Sequence, residues 1–168
     1  MSAQTFPNPF KTELPTGQPL IIMSRIFDAP LALVWKVWTE KEHVAQWWGF
    51  PDTHNEVVEY DVRARGKWRI VSTQPDGSKF VFYGTYLAVE PKVLIRNTFA
   101  VEDMNEEDER YYEEHHFEAR DGKTQYRSVS NFPDIASRDA LVETGMEEGA
   151  NASMVTFDAI LERLKEQK

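Results

Sequence analysis

The sequence contains no cysteine, which removes disulfide scaffolds, thiol nucleophiles and thiolate metal sites together. It has no apolar run near the roughly 20 residues needed to span a bilayer. Its first 19 residues, MSAQTFPNPFKTELPTGQP, carry neither the basic flank nor the apolar core of a secretory leader. No basic stripe is present, and an acidic chain repels phosphate backbones, so neither a nucleic acid nor a membrane is an expected partner. GxSxG, P-loop and GxGxxG patterns are all missing. These absences leave a soluble, cytoplasmic protein as the expectation.

What is present is a chain of 168 residues, a length that suits one domain. Ten Phe, six Tyr and five Trp exclude a generic disordered chain. The net charge of −9 is uneven: Glu102 to Glu114 holds eight carboxylates against Arg110 alone, a net −7. Such a run reads as a solvated loop, or as a docking surface for a basic partner.

Residues 1–19 contain Pro7, Pro9, Pro15 and Pro19 with little periodicity and read as an extended arm, leaving 20–168 as a single domain. Leu20 to Phe27 is a first strand. A helix then opens at Ala29-Pro30 with Asp28 as its N-cap, and a second short helix runs from Glu40 to Trp47. Six strands follow, at 55–62, 66–73, 79–90, 93–101, 111–119 and 124–132. Short turns such as Pro75-Asp76-Gly77 and Arg120-Asp121-Gly122 make neighbouring strands antiparallel. One long helix from Ile135 to Lys165 closes the chain. The prediction is an α+β fold in which a curved sheet of seven strands wraps the long helix.

Four histidines invite a search for a metal site. His115 and His116 are adjacent on a strand and must point to opposite faces, and His43 and His54 fit no ligand spacing, so no metal is expected. The helix face is more informative. Gly149, Ala150 and Ser153 form a shallow notch between Met146 and Phe157. An interior helical glycine costs about 1 kcal/mol relative to alanine, so either close backbone packing or room for a guest compensates it. Alternation places Tyr111, Glu113, His115 and Phe117 on the inner face of their strand, with Phe82, Gly84 and Tyr86, and then Ile95, Asn97 and Phe99, on the inner faces of theirs. Asn97, His115, Tyr86 and Tyr126 then add polar groups to an aromatic interior, as a small-molecule pocket requires; the alternative is a buried tyrosine and asparagine bonded to each other or to water. Trp35 and Trp38 belong to the core, and Trp47-Trp48 packs over one end of the sheet, where Trp48 and Trp68 are candidates for the pocket wall.

Three stretches carry a resemblance. FDAPLALVWKVWTEKEHVAQWWGF (27–50), GKWRIVSTQPDGSKFVFYGTYLAVEP (66–91) and TGMEEGANASMVTFDAILERL (144–164) resemble, in order, the strand and "APxxxVWxxWT" helix ending in "WWG", the glycine-tryptophan strand with "GxYxxxxP", and the "GMxxGWxxSLxxLxxxL" helix of the family related to the C-terminal domain of the activator of Hsp90 ATPase. The resemblance implies the START-like helix-grip (SRPBCC) fold, in which a sheet grips a long C-terminal helix around a cavity. It implies ligand carriage, cyclase or aromatase chemistry, or modulation of an Hsp90-type chaperone, and it brings no shared catalytic motif and no cofactor. The chain departs from the family at Asn151, where members often carry Trp, a change expected to enlarge or polarise the pocket edge. The leading expectation is non-catalytic binding of a small hydrophobic molecule by a monomer or homodimer, with no catalytic residue assigned.

Overall fold

A computed structural model describes residues 6–167; residues 1–5 of the expected arm and residue 168 of the expected domain lie outside the described residues. The strands are β1 (Lys11–Glu13), β2 (Leu20–Phe27), β3 (His54–Tyr60), β4 (Lys67–Thr73), β5 (Lys79–Glu90), β6 (Leu94–Thr98), β7 (Ala100–Val101), β8 (Tyr112–Arg120) and β9 (Lys123–Asn131). The helices are α1 (Leu31–Thr39), α2 (Lys41–Trp47), α3 (Ile135–Glu143) and α4 (Met146–Lys165). The fold is α+β, with one curved antiparallel sheet in the order β1-β2-β9-β8-β6-β5-β4-β3 gripping α4, and β7 pairing β5 off that path.

The sheet has nine strands among the described residues where seven were expected. The arm supplies one, because Lys11 to Glu13 pair with Ser24 to Ile22 on the edge of β2. The other comes from the expected strand at 93–101, which breaks at Phe99 into β6 and β7. The cause lies in β5, whose 12 residues pair with β4 over Lys79–Thr85 and with β6 over Tyr86–Glu90. The strand that follows must bend to stay with it, and Thr98 Oγ1 takes the Thr85 N–H at 2.8 Å at that bend.

The expected single C-terminal helix is two. Asp134 caps α3, its carboxylate accepting the Ser137 N–H at 2.7 Å. Gly145, at φ +83°, then turns the chain into α4. A left-handed residue after a helix favours glycine, since other residues meet their own Cβ there. Arg138 of α3 is buried and donates to the Leu20 carbonyl at 3.0 Å, fixing α3 beside the start of β2. Asp28 is not the cap of α1; Pro30 occupies that position without a side-chain bond, and the Asp28 carboxylate instead faces Lys123.

The core lies between the concave side of the sheet and α4, centred on Phe27, Val34, Val37, Val44, Ile70 and Phe157. Trp38 and Trp47 belong to it, and Trp47 Nε1 donates to the Val37 carbonyl at 3.0 Å, tying α2 to α1. Trp35, expected in the core, is half-buried and packs edge-on against Phe117 at 5.4 Å. Across the molecule, Arg25 is fully covered and makes a bidentate pair with Asp158 of α4, at 2.9 and 2.6 Å. Its Nε donates to the Asn8 carbonyl at 3.0 Å, so one guanidinium joins the arm, β2 and α4. No helix among the described residues is long and apolar enough to cross a membrane.

Candidate functional site

Between the sheet and the two C-terminal helices lies a cavity of about 420 Å³. That volume falls within the roughly 300–1,000 Å³ of small-molecule sites. Its wall divides according to strand. On the β4–β5 side, Trp68 and Phe82 meet Trp48 from the end of α2 and Phe99 from the break after β6, with ring centroids 5.6–6.4 Å apart. Gly84, directly opposite Trp68 in the register, makes room for the indole: a Cβ there would lie 2.6 Å from Trp68 Nε1 and 2.2 Å from the Thr98 carbonyl oxygen.

On the β6–β8–β9 side the wall turns polar. The registers align Tyr86, Asn97, Glu113 and Ser130 across four strands, with Ile95, His115 and Ser128 forming the next row. Asn97 Nδ2 donates to the Thr98 carbonyl at 3.0 Å and reaches Glu113 Oε1 at 3.4 Å. His115 Nε2 lies 3.8 Å from the same oxygen, and Nδ1 lies 2.7 Å from the Tyr126 hydroxyl. Trp38 packs on both rings, at 5.1 Å from each.

Burial sets the protonation of this cluster. Withdrawal from water penalises the ionised carboxyl and lifts Glu113 to about 7, against a smaller opposing effect of the Asn97 bond. The same withdrawal holds His115 down to about 3, helped by the neighbouring His116. Burial also raises Tyr60, Tyr86, Tyr111 and Tyr126 well above the ordinary phenol value. Near neutral pH the wall therefore carries neutral tyrosines, a neutral histidine and one carboxyl close to its titration point.

Of the twelve residues singled out in the sequence, Trp48, Trp68, Phe82, Tyr86, Asn97, His115, Tyr126, Met146, Gly149, Ala150 and Ser153 line this cavity. Phe157 does not. It is wholly buried beyond the cavity, against Phe27 at 4.8 Å and Trp47 at 5.3 Å, because α1 and α2 fill the space along that part of α4. The Gly149 notch is open: a Cβ there would meet only the Phe50 ring, at an ordinary 3.5 Å, so close backbone packing is not its reason. Ser153 Oγ donates to the Gly49 carbonyl at 2.9 Å and holds the loop after α2 against α4. Asn151 does not shape the pocket edge; it is buried, and its Oδ1 accepts the Phe10 N–H at 2.8 Å, docking the arm.

Glu113, Ser128, Ser130 and Phe10 also line the cavity, and of these the sequence had placed only Glu113 on an inner face. Alternation with His115 and Tyr126 was the available signal for the first three. Nothing in the proline-rich arm marked Phe10. His116 points outward, towards Glu114, as adjacency on a strand requires. Among the described residues no group of three or more potential metal ligands gathers. A second depression, of about 860 Å³, lies on the outer side of β8 and β9, where Ile22, Leu31 and Val93 share the lining with the charged Lys92, Glu118, Arg120 and Arg127.

The acidic segment is shorter than its composition suggested, since Glu113 and Glu114 belong to β8. Its exposed part is tethered: Arg69 pairs with Glu102, Thr85 Oγ1 donates to Glu107 at 2.8 Å, and Asn105 Oδ1 accepts the Val101 N–H at 2.8 Å.

The family model described as "Activator of Hsp90 ATPase homolog 1-like protein" matches residues 28–162. Among curated proteins none matches the chain. Solved structures similar to it include protein Ms6760 from Mycobacterium smegmatis, with 24% identity and a TM-score of 0.81 over 93% of this chain and 99% of that one. A protein from Rhodobacter sphaeroides has 15% identity and a TM-score of 0.84 over 93% and 99%. An AHSA1 protein from Silicibacter pomeroyi has 17% identity and a TM-score of 0.68 over 89% and 99%. At these identities the likeness is one of fold.

Proposed function

The chain belongs to the activator of Hsp90 ATPase homologue 1-like family, and from that premise we propose that it binds a small hydrophobic or aromatic molecule, without chemistry, in the cavity between sheet and α4. The observation that carries this reading is the wall itself: eleven aromatic side chains surround about 420 Å³, interrupted by one small polar cluster. An apolar enclosure with a few placed polar groups is the usual composition of a ligand site. Residues 20–168 serve as the binding domain and 1–19 as an arm upon it, in a cytoplasmic monomer or homodimer.

Native mass spectrometry of gently purified protein, followed by denaturation and identification of the released molecule, tests the proposal. The expected result is a stoichiometric hydrophobic adduct. An apo mass, together with no rise in melting temperature across a broad set of hydrophobic probes, would overturn it.

The family supports a second reading, modulation of an Hsp90-type chaperone. Its exposed candidate is the acidic loop between β7 and β8, since Trp38 and Trp47 lie in the interior and offer no surface. Unchanged ATPase turnover of the chaperone, with no complex formed, would remove this reading.

A further inference from the structure

Among the described residues, Glu113 is the one carboxyl on the cavity wall, and no lysine or arginine lines it. Its partners are poor: Asn97 Nδ2 at 3.4 Å is beyond ordinary hydrogen-bond length, and His115 Nε2 at 3.8 Å is farther still. The carboxyl therefore meets the cavity with most of its accepting capacity unused. An anionic guest would find no cation and one like charge. A purely apolar guest would exclude water from Glu113 and give it nothing in return, which is costly. A guest with a positive charge satisfies the carboxyl, and the aromatic faces around it add cation–π attraction. The opposite wall, of Trp48, Trp68, Phe82 and Phe99, remains for an apolar body.

Resting on the small-molecule reading above, we propose that the cavity selects an organic amine: an aromatic or hydrophobic body bearing one basic nitrogen, with the ammonium on Glu113 and the body against the Trp48–Trp68–Phe99 side. Charge on Glu113 is then part of binding. Facing it are His115 from its own strand, Asn97 from β6, Ser130 and Tyr126 from β9, and Tyr111 just before β8. Burial keeps the histidine neutral and the tyrosines protonated, and α3 and α4 contribute no titratable side chain to the wall. Glu113 is the group that titrates, so amine affinity rises with pH through its apo value of about 7.

Calorimetry on the full chain with three matched probes (naphthylmethylamine, naphthylmethanol and naphthoic acid) tests the proposal. At about pH 8 the amine is expected to bind about tenfold or more tighter than the alcohol, with the acid weakest. Glu113→Gln should abolish the amine's advantage over the alcohol. Independently of that variant, the amine's advantage should shrink several-fold in wild type at about pH 5.5. An amine no tighter than the alcohol, or an advantage that survives Glu113→Gln or the lower pH, overturns the amine and leaves the cavity reading standing. Failure of all three probes overturns the amine, and the cavity reading falls with it only where the native mass is also apo and the broad set of hydrophobic probes also fails.

Discussion

The Glu113 carboxyl and the His115 imidazole lie 3.8 Å apart on one face of β8, and burial drives each toward its neutral form. Together they behave as a neutral pair near pH 6, and no ion pair forms between them. The arrangement has opposite consequences for stability on the two sides, because the folded chain takes up a proton at Glu113 and sheds one at His115.

A first prediction concerns pH. Glu113, raised from 4.5 to about 7, makes stability fall as pH rises across that interval. His115, lowered from 6.5 to about 3, makes stability rise with pH between those values. In the overlap the slopes cancel. Glu113→Gln removes one of them, so the stability of the variant relative to wild type should climb by up to about 1.4 kcal/mol per pH unit through that window. Urea melts at both ends check this; an unchanged difference would refute it.

Gly84→Ala should be strongly destabilising, since the new Cβ would sit 2.2 Å from the Thr98 carbonyl oxygen and 2.6 Å from Trp68 Nε1. Backbone cannot swing aside as a side chain can, and the cost should reach about 2–3 kcal/mol. Denaturant unfolding measures it, and a loss below about 0.5 kcal/mol would show that β5 has room to shift.

Asp158→Asn leaves the guanidinium of Arg25 covered and without its counter-charge. Stranding a buried charge costs about 3–5 kcal/mol, and the partial exposure of Asp158 places the expected loss at the lower end. Because Arg25 also holds the Asn8 carbonyl, amide exchange should accelerate in residues 8–13. Normal protection there would separate the arm from this pair.

Gly149→Ala goes the other way. The position is helical, and its new methyl group meets only the Phe50 ring at 3.5 Å. The lower chain entropy of alanine should stabilise the fold by about 0.5–1 kcal/mol, or roughly 1–4 °C in melting temperature. A drop in melting temperature would mean that Phe50 cannot yield.

Much of this architecture was legible in the sequence. β-branched residues with no Gly or Pro among them delimited Leu20–Phe27 at its observed ends, and alternation placed His115 inward and His116 outward. The failures have physical causes. A three-residue strand between prolines has no periodicity to detect, so β1 and Phe10 were invisible. Phe99 is as apolar as its strand neighbours, and its break follows from the bend of β5, a tertiary cause. Gly145 was absorbed into one long helix from Ile135 to Lys165 because a helical wheel carries no information about φ. Phe157 shares the face of Ser153, but where the cavity stops along that face is decided by α1 and α2.

Strand β1 also bears on how copies of this chain meet one another. Without the arm, β2 would present Leu20–Phe27, rich in isoleucine, as an open row of backbone donors and acceptors, a template on which another chain can add. Lys11–Glu13 occupy Ile22–Ser24, and Asn8 Nδ2 takes the Ile26 carbonyl at 2.8 Å. The arm that borders the cavity thereby blunts the sheet against edge-to-edge polymerisation, placing a lysine and a glutamate where a neighbour's strand would otherwise continue the ladder.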